Sequence, residues 1–180
     1  MAFRHDDPSL ELLDAATHEA ASRSRAARRD LAARAAELAT WRGTLHDLAE
    51  ARRPLALQLR DGRRHDGHLR AVALDHVILA ARNGTTVLVP LGAVAAIHLP
   101  PEAVPRAASG DREQPQDRTL LEALVDLLQV DAEVAVGVGT TPITGHVVGA
   151  GEDVLTLRTA GGGTVVVPTV AVTDVVWGLR

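Results

Sequence analysis

Two segments of the chain alternate apolar and polar positions in the same order. In the first, Leu55, Leu57 and Leu59 alternate with Ala56, Gln58 and Arg60, the period of a strand with one buried face. Asp61 and Gly62 predict a turn, Gly67 opens a second strand with Leu69, Ala71 and Ala73 on one face, and Asp75 begins another turn. Val77 to Ala81 predicts a third strand, Asn83-Gly84 a tight hairpin, and Thr86 to Val89 a fourth strand ended by Pro90. Ala93, Val94 and Ile97 then predict a short helical turn and a last strand. The second segment predicts the same elements: Val134 to Val138, Gly145 to Val148, Val154 to Arg158, a glycine hairpin at Gly161 to Gly163, Val165 to Pro168, and Val172 to Trp177. From Gly67–Ile97 to Gly145–Val175 the correspondence holds at a constant offset of 78, pairing His68 with His146, Asp75 with Asp153, Gly84 with Gly162 and Pro90 with Pro168.

Ahead of the strands the period changes. Asp7-Pro8 reads as an N-cap and first helical residue, and residues 8–42 are rich in Ala, Leu, Arg and Glu, which favour helix. A heptad frame places Leu10, Leu31 and Leu38 at one seam position, and Leu13 and Trp41 at the other, with small or polar residues between. That seam fits packing on the protein's own body as well as dimerisation. Gly43 fits a helix C′ position, Thr44 a new cap with Asp47 at the third helical residue, and Thr119 with Glu122 a capping box. The expected organisation is α+β: an N-terminal helix over residues 1–43, a helix-plus-barrel unit over 44–100, a flexible linker over 101–118 that holds Pro, Gly, Ser, Asp, Glu and Gln, and a second helix-plus-barrel unit over 119–180. Five short strands per unit suggest small barrels whose closure removes exposed edges.

Composition narrows the chemistry. The chain has no Cys and no Tyr, all 19 basic residues are Arg, and its aromatic residues are Phe3, Trp41 and Trp177. Thiolate metal sites, cysteine nucleophiles and lysine Schiff bases are excluded, and stacking platforms for single-stranded nucleic acid are not expected. Net charge is −4, unevenly placed: residues 44–100 carry seven Arg against five acids, whereas residues 119–180 carry two Arg against seven acids. Only the first repeat can present a basic patch for phosphate contacts. No stretch approaches a membrane span and the start lacks a signal-peptide pattern, so a cytoplasmic location is expected.

Four motifs carry a resemblance. Leu57 to Gly62, Gly67-His68-Leu69 and Asp75 to Leu79 follow the order of the first motif of Sm-like domains, and Val87 to Pro90 through Ile97 is similar to the tail of PRC-type barrels. The helix–barrel–linker–helix–barrel order resembles an actinobacterial group labelled as transcriptional regulators. The resemblance implies tandem five-stranded Sm/SH3-like barrels and a nucleic-acid-binding alternative. The Asn and the Arg-Gly pair with which Sm proteins hold RNA have no counterparts, since Ile78 or Leu79 stands where that Asn would be.

Two surfaces emerge as candidates. By alternation Gln58, Arg60, His68 and Arg70 share an outward face, with Arg63 and Arg64 at the hairpin tip, forming a candidate patch for an anionic partner. In the second repeat both faces of Val165 to Val167 and Val175 to Trp177 are apolar, and Val148 joins them; Val148, Val166 and Trp177 mark a candidate interaction face. It would be covered by the N-terminal helix, the other barrel or a second chain. His65 and His68 have a His-x-x-His spacing without further converging ligands, and no nucleophile–base constellation is evident, so neither metal, cofactor nor small-molecule substrate is expected. The sequence thus points to a non-enzymatic binding or assembly module working through protein contacts or self-association, with a regulatory role compatible with it. The alternative is a nucleic-acid regulator using Arg60, Arg63, Arg64, His68 and Arg70.

Overall fold

A computed structural model of the chain describes residues 40–101 and 117–178, together with Ser24 and Ala27, which are helical and exposed. The long N-terminal helix and the greater part of the linker expected from the sequence fall outside the described residues.

The first repeat consists of α1 (Trp41–Glu50), β1 (Leu55–Leu59), β2 (Arg64–Val72), β3 (His76–Ala81), β4 (Thr86–Pro90), a 3-10 turn (Leu91–Ala93) and β5 (Val94–His98). The second repeats it with α2 (Leu120–Gln129), β6 (Glu133–Val138), β7 (Thr141–Ala150), β8 (Val154–Arg158), β9 (Thr164–Pro168), a 3-10 turn (Thr169–Ala171) and β10 (Val172–Trp177). Each helix lays an apolar stripe on its own strands. Leu45 and Leu48 enter the first core with Leu57, Leu69, Leu79 and Val87, and Leu124 and Leu127 enter the second with Val136, Leu155 and Leu157.

The helix starts correct one sequence reading. Thr40, not Thr44, caps α1: its hydroxyl accepts from the Gly43 N–H at 3.0 Å, and Gly43 lies inside the first turn instead of ending a preceding helix. Thr119 caps α2 with the full reciprocal box, Glu122 reaching back to the Thr119 N–H at 2.7 Å. Thr40 and Thr119 are therefore equivalent. The offset is 79 through the helix and first strand, where Leu55 and Val134 oppose Gly67 and Gly145, and 78 beyond. The missing residue is in the β6–β7 hairpin, which closes around Gly139 and Thr140, whereas β1–β2 closes around Arg60, Asp61 and Gly62.

The recurring glycines Gly67 and Gly145 are explained by close approach. A Cβ at either would collide with the backbone carbonyl of the adjacent strand, at Ala80 or Arg158. Gly84 and Gly162 occupy equivalent hairpins with φ of 86° and 78°. The ladders β2–β3 and β7–β8 also share a register shift, after Leu69 and after Val147. This bulge breaks the simple alternation expected for Leu69, Ala71 and Ala73: Val72 and Ala73 are buried and Ala71 is only half-buried.

The larger correction concerns closure. Each repeat has the strand order 5-1-2-3-4, but β4 does not return to β5. It pairs instead with β10, so all ten strands form one antiparallel sheet in the order β5-β1-β2-β3-β4-β10-β6-β7-β8-β9. The repeats are not two closed barrels. The first repeat's β4 uses the second repeat's last strand, β10, to satisfy an edge that closure would otherwise have covered, and β5 and β9 remain as the two ends.

Candidate functional site

The seam between the repeats is built from the β4–β10 ladder, with Val175 opposite Leu88, Val176 opposite Val87 and Trp177 opposite Thr86. It exchanges side chains between cores. Leu88, from the first repeat, is 1% exposed and belongs to the second core; Val176, from the second, packs against the first.

Polar contacts fasten one side of the seam. Asp174 is fully buried, and its two carboxylate oxygens lie 2.8 Å from Arg63 Nη2 and 2.7 Å from His65 Nε2, both in the first repeat. Arg63 also donates to Asp61 from Nε at 2.9 Å and from Nη2 at 2.7 Å, and its Nη2 reaches the Thr173 hydroxyl. The Asp61 side chain is 7% exposed. Burial works to raise its pKa, but the Arg63 hydrogen bonds and charge, with a hydrogen bond from Thr173, outweigh it and hold the carboxyl below its ordinary value. Arg63 in turn is desolvated, yet its carboxylate partners stabilise its charge further. Gly137 of β6 makes the room: a Cβ there would collide with Asp174 Oδ1 and the Arg63 guanidinium.

A second contact joins the repeats elsewhere. Asp75 Oδ1 accepts the Leu120 N–H of α2 at 2.8 Å and lies 2.9 Å from Nδ1 of the buried His76. A cleft of about 300 Å³ beside it is lined by Asp75, Thr119, Leu120, Leu121, Glu152 and Thr169. The Asp75 side chain thus bonds to the start of a helix 45 residues away.

The sequence-derived basic patch divides. Arg64, His68 and Arg70 are exposed along β2 and Arg60 is exposed in the turn, but Asp66 is exposed between them and lies 3.5 Å from Arg64. Arg63 leaves the patch altogether and turns into the seam. A shallow cleft of about 190 Å³ beside His68 is bordered by Arg52, Pro54 and Arg82. Of the proposed apolar face, Trp177 is half-buried against the second core, Val148 is half-buried on β7, and Val166 on β9 is 63% exposed.

Sequence reasoning missed Thr173 and Asp174 as partners of Arg63, and His65 as a second partner of Asp174. The signal was available: Thr173-Asp174 stands in an apolar strand where the first repeat has Ala95-Ala96. Among the described residues there is no group of three or more His, Cys, Asp or Glu that could hold a metal ion, and no helix long and apolar enough to cross a membrane. No family model and no curated protein matches the chain.

Proposed function

We propose that the protein is a non-enzymatic assembly module that works through protein–protein contacts made by the ends of its sheet. Its units belong, on this reading, to the Sm-like class of small five-stranded folds, and a cytoplasmic regulatory role is compatible with it. The observation that carries the proposal is the state of the two ends. Among the described residues, β9 (Thr164 to Pro168) and β5 (Val94 to His98) each have one unpaired side, and neither strand contains an Asp, Glu, Lys or Arg to repel an incoming strand. A surface left so open to strand pairing fits a protein that assembles.

A second reading has one observation behind it. Arg52, His68 and Arg82 border the shallow cleft beside exposed Arg64 and Arg70, which is chemistry suited to phosphate. Asp66 within this surface and the acidic second repeat oppose it, so nucleic acid is the alternative.

Cross-linking in cells tests the first reading, comparing wild type with Val166→Glu. Heavier cross-linked species present in wild type and lost in the variant are expected. Wild type with no heavier species overturns the reading. So does micromolar, salt-sensitive binding of duplex DNA or single-stranded RNA that an Arg64→Glu, Arg70→Glu variant abolishes.

A further inference from the structure

We infer that the occupant of both free edges is a second copy of this chain, bound head to tail, with β9 of one copy pairing β5 of the next. The inference rests on the assembly reading above and names its partner.

The template lies inside the chain. The β4–β10 ladder is a junction between the fourth strand of one repeat and the fifth of the other. The same two surfaces occur again, unpaired: β9 is the fourth strand of the second repeat and β5 the fifth strand of the first. Carrying the observed register across at the offset of 78 places Ile97 opposite Val166, His98 opposite Val165, and Leu99 opposite Thr164.

Burial follows the same logic position by position. Leu88 is 1% exposed because the neighbouring repeat receives it; its equivalent Val166 is 63% exposed. Val87 is buried and its equivalent Val165 half-buried; Val175 is buried and its equivalent Ile97 half-buried. Val166 is thus an apolar residue at the site of a core residue, lacking only the neighbour that would make it one. Docked in the observed geometry, it enters the first-repeat core of the next copy beside Ile97.

The two junctions differ in their polar fasteners. Arg63, His65, Thr173 and Asp174 of the internal seam correspond to Thr141, Ile143, Ala95 and Ala96 at the ends. The junction between copies brings Ile143 toward Ala96 and buries no carboxylate. It has neither the desolvation cost nor the pairing specificity of a buried ion network, so it can form and dissociate while the internal seam stays closed. Because the two surfaces are different, the contact is heterologous, and successive copies add into a ring where the rotation closes or an open filament where it does not.

Size-exclusion light scattering of the full chain tests this with two exposed-residue variants: Val166→Glu, which blocks β9, and His98→Glu, which blocks β5. Thermal melts followed by circular dichroism check that both fold. Wild type is expected at a multiple of the chain mass. Each variant alone is expected to be a monomer, and their mixture a one-to-one dimer through the single intact pair of edges. A monomeric wild type overturns the inference; if cells still show cross-linked species lost in Val166→Glu, the partner is a different protein and the assembly reading survives. A His98→Glu variant that remains associated means that β9 pairs with itself, and a mixture that stays monomeric means that β9 and β5 are not partners; either result overturns the inference.

Discussion

Arg63 and Asp174 meet 2.8 Å apart across the seam, one from each repeat, and Asp174 has no exposed surface. Removing the guanidinium leaves a buried carboxylate facing only His65 and Thr173. Arg63→Ala is expected to destabilise the chain by about 3–5 kcal/mol, toward the lower end because His65 remains. Urea unfolding measures it. The Asp174→Ala, Arg63→Ala double variant should lose much less than the sum of the two single changes, as expected for groups in one network.

Gly137 is required by the same network. Gly137→Ala places a methyl where Asp174 and Arg63 now lie, so an overpacking cost of about 1–3 kcal/mol is expected. Thermal melts of Gly137→Ala and of Gly139→Ser, in the adjacent exposed turn, separate overpacking from backbone strain. Gly139 has open space around it but a φ of 60°, so its loss should reflect conformation alone.

Leu88 and Val166 are equivalent by sequence and opposite in environment. Leu88→Ala is expected to cost about 2–5 kcal/mol, since it empties space in the second core. In the dissociated chain, Val166→Ala should change stability by no more than about 0.5 kcal/mol, as at other exposed positions. Chemical denaturation at low protein concentration makes the comparison.

Acid should weaken the fold. Asp61 and Glu122 both titrate below their ordinary values of 3.8 and 4.5, Asp61 because Arg63 outweighs its burial and Glu122 chiefly because it accepts the Thr119 N–H. A carboxyl that binds its proton less tightly when folded stabilises the fold above its unfolded pKa, and that contribution is lost as pH falls through the folded pKa. Stability from these groups is thus fully present above about pH 5 and declines below about pH 4. Asp61→Asn should flatten the decline while lowering stability at neutral pH, as followed by unfolding midpoints across that range.

The ten strands and two short helices were legible because their signals are local. Leu55, Leu57 and Leu59 show period 2, Asn83-Gly84 specifies a hairpin, and Thr119 with Glu122 specifies a helix start. What was not legible depends on where strands end in space. Nothing near Thr86 to Pro90 says whether β4 returns to β5 or pairs with β10, because Val87 and Val89 suit either neighbour. Arg63 illustrates the same limit. Beside Arg64 and Arg60 it reads as surface charge, and only the arrival of Asp174 from a strand 111 residues later turns it inward. The Thr40 cap was obscured because Gly43 and Thr44 imitate a helix end and a fresh start, whereas the later offset of 79 identifies Thr40 as the partner of Thr119.

The exchange of Leu88 and Val176 between cores has a consequence for folding. Neither repeat can complete its interior while the other is unstructured, since each holds a side chain that the other needs. The repeats should therefore not melt in sequence, although each has its own helix and five strands. They should unfold in one cooperative transition, with tertiary and secondary signals coincident. The amides of β4 and β10, where the two interiors meet, should exchange with solvent only through that global opening.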